Sequence, residues 1–351
     1  MQQRNKYFSP SLYREALSQL LLPAAIVAAL LLVVVMLTTF GEVIARAGSG
    51  SVLDSFWWNR DLSELWTFVM FYSWTAPILL TVFGFRFLTS RTKSDFYHAL
   101  PVERTALFYS YAAAILTWLV ASIVTTLSAS TMMFVAVGGE VLWYDLHVAV
   151  TILVSTIYVA SISMFAISLT GTVFSNLVLT GLLLAMPSMA VAYFQYGIVT
   201  AIRHANQNFD PFYDLPSFFG STLNQGLTLL CSFALFAIAA YCFKRRNSEM
   251  AGNSAPGPKL QAIYRIAVAL PLLLVAFVGI PFYGFIEAPD AFGAVTLTIL
   301  ALVAMASFEL ITSRRWKNLL KVPLSFGIAL GIAVLFALMM WAIPEMLSLL
   351  S

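Results

Sequence analysis

Residues 20–40 read LLLPAAIVAALLLVVVMLTTF, without one charged side chain. A helix needs about 20 apolar residues to cross about 30 Å of hydrocarbon, so this run is long enough to span a bilayer. It is also longer than the apolar core of a cleavable signal peptide, and is expected to persist as a span. Eight comparable runs follow, at 65–87, 106–137, 148–169, 177–198, 227–243, 266–285, 294–311 and 324–343. Of the 351 residues 60% are hydrophobic and only 10% charged, too little charge to cover a soluble domain. The expected fold is all-α: a polytopic membrane protein of about nine transmembrane helices. The third run is long enough to tilt, or to project past the bilayer.

The loops orient these spans. Arg4, Lys6 and Arg14 precede the first; Arg86, Arg91, Lys93 and Arg104 join the second to the third. Lys244, Arg245, Arg246, Lys259 and Arg265 fall between the sixth and seventh, and Arg314, Arg315, Lys317 and Lys321 between the eighth and ninth. All of the 19 Lys and Arg except Arg46, Arg60 and Arg203 are thus expected on one side, while most acids fall in the opposite loops. Positive charge is retained in the cytoplasm, so the N-terminus is expected there and residues 344–351 outside. Trp57, Trp58, Trp66, Trp143 and Trp341 fall near outer span ends and Trp316 at an inner one, as interfacial anchors do.

Little in the chain suggests chemistry of its own. Cys231 and Cys242 lie in one apolar run, about 16 Å apart if helical, out of disulfide reach. His98, His147 and His204 sit in loops or at span ends on both sides, which suits surface histidines better than a metal or catalytic site. The segment 252–259, GNSAPGPK, has Pro258 before Lys259 and Leu260 after it, and follows no strand, so it cannot act as a phosphate-cradling P-loop. Glu309 is the exceptional ionisable residue within the spans, expected to snorkel to the interface or pair with Arg314 and Arg315. No enzymatic site, cofactor site or metal site is expected, and no nucleic-acid partner.

The connection from Arg86 to Arg104 is different. Ser94 and Asp95 can cap a short helix, and Pro101 stops it because the residue before proline avoids the α region. Phe96, Tyr97 and Leu100 then share an apolar face, and Pro101 can open the next helix. Such a helix, flanked by Arg91, Lys93 and Arg104, either lies on the membrane surface or buries its rings in a partner. Ser9-Pro10 reads as a second helix start, with Leu12, Leu17 and Leu20 to one side. The segment 244–261, KRRNSEMAGNSAPGPKLQ, is rich in Gly, Pro, Ser and Asn and reads as a linker. Gly327 and Gly331 form a small-xxx-small pair suited to close helix packing.

The stretch 90–110, SRTKSDFYHALPVERTALFYS, resembles a signature of permease subunits of bacterial ATP-binding-cassette (ABC) transporters of the type-two permease superfamily, in particular Ytr-type permeases. The segment 248–265, SEMAGNSAPGPKLQAIYR, is similar to the stretch before that family's C-terminal spans. The resemblance implies a six-span permease core over 1–243, a cytoplasmic linker over 244–263 and three additional spans over 264–351, in a bacterial plasma membrane. It implies that Ser94, Asp95, Phe96, Tyr97, His98 and Leu100, with Arg91, Lys93 and Arg104 beside them, form a coupling helix that docks on a cytosolic ATPase. ATP and Mg would then be held by that partner. It further implies an interfacial elbow helix over 9–19, short re-entrant elements within 201–226, and pairing with a second copy or a related permease. The expected function is ATP-driven export of an amphipathic, peptide or lipid-like substrate or an antimicrobial. An ion-coupled secondary transporter and a membrane sensory or scaffold protein stand as alternatives.

Overall fold

The computed structural model describes residues 7–49, 63–90, 102–136, 143–205, 222–246, 258–282, 285–287, 289–313 and 316–348. Among these residues there are nine α-helices: α1 Pro10–Ser49, α2 Ser63–Gly84, α3 Arg104–Ala136, α4 Trp143–Leu169, α5 Val173–Ala205, α6 Thr222–Arg245, α7 Pro258–Val278, α8 Ala291–Ser313 and α9 Val322–Ser348. Each matches one of the nine apolar runs, and seven are long and apolar enough to cross a membrane. The other two, α2 and α5, carry shorter apolar stretches, Phe71–Gly84 and Val173–Pro187. The protein is an all-α, multi-pass membrane protein.

The helix faces are arranged for lipid. On α1, Leu12, Ala16, Leu20, Ala24, Leu31 and Val35 are buried, whereas Leu22, Leu30 and Leu37 are exposed. In water that outer face would be a large apolar patch; in a bilayer it meets acyl chains. Ala16 and Ala24 alternate with larger residues on that inner face, which lets neighbouring backbones approach closely, as helices in lipid associate through packing rather than through water exclusion.

The chain forms two compact units. Unit 1 comprises residues 1–169 and 218–252, so α1–α4 with α6; unit 2 comprises 170–217 and 253–351, so α5 with α7–α9. The fifth helix therefore packs with the last three, a grouping that cuts across the order of the chain. In unit 1, α1 and α3 run parallel. The Ser9 amide donates to Ser110 Oγ at 3.0 Å, and that hydroxyl donates to the Ser9 carbonyl at 3.2 Å. Tyr13 Oη lies 3.0 Å from Thr117 Oγ1, and Trp118 Nε1 donates to the Leu17 carbonyl. Tyr72 and Ser122 share a hydroxyl hydrogen bond between α2 and α3.

The expected elbow over 9–19 is not a separate element. The helix does begin where Ser9-Pro10 indicates, with the Ser9 carbonyl accepting from the Tyr13 amide. It then continues through Pro23 to Ser49. Leu12 and Leu20 face the core of unit 1 instead of a lipid surface, because the bonds to α3 fasten the first turns upright against it.

In unit 2, α7 starts at Pro258, inside the stretch read as linker, proline being suited to the first helical turn. It ends at Val278, short of the run's end at 285. Gly279 takes a φ of 103°, which glycine tolerates without strain. A two-stranded antiparallel hairpin follows, β1 Ile280–Phe282 with β2 Phe285–Glu287. Tyr193 Oη of α5 donates to the Gly279 carbonyl at 2.8 Å, and its ring packs on Phe336 of α9 with centroids 5.3 Å apart. A Cβ at Gly327 or at Gly331 would meet no atom within 4 Å. That small-residue pair therefore lies on an open face and makes no close helix contact among the described residues.

Gly84 differs, since a Cβ there would stand 2.9 Å from Ile115 Cδ1. Gly84→Val is expected to destabilise the detergent-solubilised protein by about 1–3 kcal/mol through overpacking, whereas Gly181→Ala, in open space, should leave its thermal unfolding unchanged. Equal behaviour of the two variants would show that α2 and α3 do not approach so closely.

Candidate functional site

The segment 89–104 leaves α2 and enters α3. Arg91, Lys93, Ser94, Asp95, Phe96, Tyr97, His98 and Leu100 lie outside the described residues; Arg104 and both ends of the segment are described. On the α2 side, Arg86–Leu88 form a single 3₁₀ turn, with the Leu88 amide donating to the Phe85 carbonyl at 2.9 Å. Phe87 and Leu88 are buried, so the chain turns inward after α2.

Both ends of the segment rest on one aromatic cluster. The Phe85 ring lies 5.5 Å from Phe108, 6.0 Å from Tyr111 and 6.3 Å from Phe243, centroid to centroid. Phe87 packs edge-on against Tyr111 at 5.3 Å, and Phe108 meets Phe243 at 5.5 Å. Rings from α2's exit, α3 and α6 thus share one buried core. Such pairs contribute about 0.5–1.5 kcal/mol each beyond the area they bury.

Two arginines hold the polar atoms above that core. Arg104 Nη1 donates to the Arg246 carbonyl at 2.7 Å and to the Lys244 carbonyl at 3.3 Å. These carbonyls end α6 and have no partner within the helix, so α3 supplies the cap for α6. Arg246 is 2% exposed. Its Nη2 donates to the Leu88 carbonyl at 2.9 Å, and its Nη1 to the Ile167 carbonyl near the end of α4. Burial pulls this guanidinium down to about 10, so it stays charged at neutral pH. Helix C-termini carry partial negative charge and attract cations, which is why carbonyls alone can hold it. Of the predicted site residues the structure therefore locates only Arg104, and it adds Arg246, Phe85, Phe108 and Phe243. A signal for Arg246 does exist: Phe236, Ala239, Ala240 and Phe243 form the buried stripe of α6, and 246 is its next position at helical spacing.

Unit 2 contains a second polar cluster. Glu309 is 1% exposed and lies 3.5 Å from Arg265 Nη1. Gln261 Nε2 donates to Glu309 Oε2 at 3.2 Å and to Thr312 Oγ1 at 2.8 Å. Glu309 therefore does not snorkel; it pairs across helices with a residue expected in a loop. Arg265 reaches it because α7 starts well before its apolar run, which puts Gln261 and Arg265 one turn apart on the face toward α8. Arg314 and Arg315 lie outside the described residues.

Elsewhere in unit 1, Gln225 Nε2 donates to Thr151 Oγ1 at 2.6 Å and faces His147 Nε2 at 3.3 Å, so His147 belongs to a contact between α4 and α6. Among the described residues no group of three His, Cys, Asp or Glu is placed to hold a metal. Cys231 and Cys242 are both free thiols. No family model matches the chain, and no curated protein or solved structure does. The permease resemblance stands on the quoted motifs alone.

Removing one partner of a buried ion pair strands the other. Arg265→Leu is expected to lower stability by about 3–5 kcal/mol, and Arg265→Met with Glu309→Leu together by much less, read from thermal unfolding in detergent. A double variant as unstable as the summed single variants would mean that the two charges are not coupled.

Proposed function

We propose that this chain is the transmembrane permease subunit of an ATP-driven ABC transporter in a bacterial plasma membrane, with its basic face in the cytosol. The observation that carries this is the base of segment 89–104. Phe85, Phe87 and Leu88 on one side and Phe108 and Tyr111 on the other belong to one buried core, so the basic segment that joins them, with its aromatic residues, has a firm seat at both ends. A segment that must receive force from a partner needs such a seat; a mere connection between two spans does not.

On this reading Phe96, Tyr97 and Leu100 bury their apolar face in a cytosolic ATPase, with Arg91, Lys93 and Arg104 beside them. That partner binds ATP and Mg, and its closure on ATP displaces the segment. The displacement passes to α2 and α3 through the aromatic cluster. A second copy, or a related permease, completes the pathway. Spanning runs that offer little charge suit an amphipathic, peptide-like or lipid-like substrate. The chain itself performs no hydrolysis.

A second reading, an ion-coupled secondary transporter, draws on one observation. Arg265 and Glu309 are buried within spanning helices, where ionisable groups often serve transport. Here they neutralise each other and Gln261 occupies the same carboxylate, which suits a structural pair better than an ion relay.

Two measurements bear on the main proposal. An adjoining reading frame is expected to encode a P-loop ATPase, and co-purification with it should fall about tenfold or more for Phe96→Ala or Lys93→Glu, the loss of about 1.4 kcal/mol of binding; retention of full association by both would remove the docking assignment. Tyr97→Cys should resist a membrane-impermeant maleimide in intact cells and react in inverted vesicles. Labelling from outside would reverse the orientation and end the proposal.

A further inference from the structure

Arg246 lies where an apolar side chain would pack with less penalty. It is 2% exposed and its Nε has no hydrogen-bond partner. Taking a guanidinium out of water is unfavourable unless well-placed acceptors replace the lost hydration. Here the acceptors belong to different helices: Leu88 ends the exit of α2, and Ile167 lies in the last turn of α4. Arg246 itself extends α6, and its own carbonyl accepts from Arg104 of α3.

Segment 89–104 is covalently joined only to α2 and α3. Apolar contact is non-directional and lets helices slide, whereas a forked guanidinium with one nitrogen on each of two carbonyls fixes the distances among three helix ends. We infer that Arg246 is a positioning residue that ties the basic-face ends of α2, α4 and α6 into one body, so that displacement of segment 89–104 also moves α4 and α6. The tie is a property of unit 1 alone; what delivers the displacement rests on the docking proposed above.

The tie is tested on the full-length protein in lipid nanodiscs by hydrogen–deuterium exchange. In Arg246→Met, segments 85–90, 164–169 and 240–246 should all exchange faster together, by about tenfold, since amide exchange reports local opening. Arg246→Lys, which folds with its charge retained but cannot fork to both carbonyls, should do the same to a lesser degree. A rise confined to 240–246, or none in either variant, overturns the tie. The transmission is tested with the adjoining-frame ATPase, using the ATP hydrolysis rate of the reconstituted complex, which needs no known substrate. Arg246→Lys should keep association at the wild-type level while the permease-dependent change in hydrolysis rate falls about tenfold. Loss of association would make Arg246 part of the docking surface and overturn transmission, as would an unchanged rate. If the wild type binds no ATPase, the proposed function and the transmission fall together, and the exchange result still decides the tie.

Discussion

Hydrocarbon offers a backbone amide or carbonyl nothing to bond to, and each group left unpaired there costs several kcal/mol. The helices meet this constraint in their interiors by their own ladders, and many side-chain hydroxyls follow the same rule. Thr39, Thr156, Ser161, Ser168 and Ser232 return their protons to carbonyls three or four residues back on the same helix. These bonds let a bundle with many Ser and Thr residues remain compatible with lipid. They also free the helix contacts to be made by small residues and rings.

Helix ends cannot be satisfied this way, and it is there that the charged side chains collect. The last carbonyls of α6, the exit of α2 and the end of α4 all accept from guanidinium groups. Arginines that the sequence offers as orientation signals therefore serve in the fold as shared caps. Arg265 and Glu309 meet the same constraint differently, each supplying what the other lacks. Among the described residues Arg104 and Arg246 are held by carbonyls, whose dipoles suffice at a terminus, whereas a charge further inside a span needs an opposite charge.

The fold class was legible because its signal is length without charge, and nine runs became nine helices. The boundaries were less so. Hydropathy dips at Lys259, Gln261 and Arg265, so the start of α7 was hidden, although Pro258 is a good opening residue. The continuity of α1 was also hidden. Leu12, Leu17 and Leu20 face one way whether the helix lies on a membrane or stands against α3, and only the partners Ser110, Thr117 and Trp118 decide. At the candidate site, the aromatic tip and its basic flanks could be read from residue types. Arg246 could be picked out only by its place one turn beyond the stripe of Phe236, Ala239, Ala240 and Phe243, because a run of basic residues after a span already has a sufficient cause in topology, and burial of one member leaves no mark on composition.

The pairing of Arg265 with Glu309 bears on how the protein is made. A lone arginine or glutamate on a nascent helix opposes entry into the bilayer by up to about 3 kcal/mol, and α7 leaves the ribosome ahead of α8. Partitioning α7 by itself would drag an uncompensated cation inward; partitioning both as a preassembled hairpin carries none. Biogenesis of these two helices is thereby biased toward concerted insertion, with the turn after Gly279 joining them and the two charges meeting as the pair comes to rest.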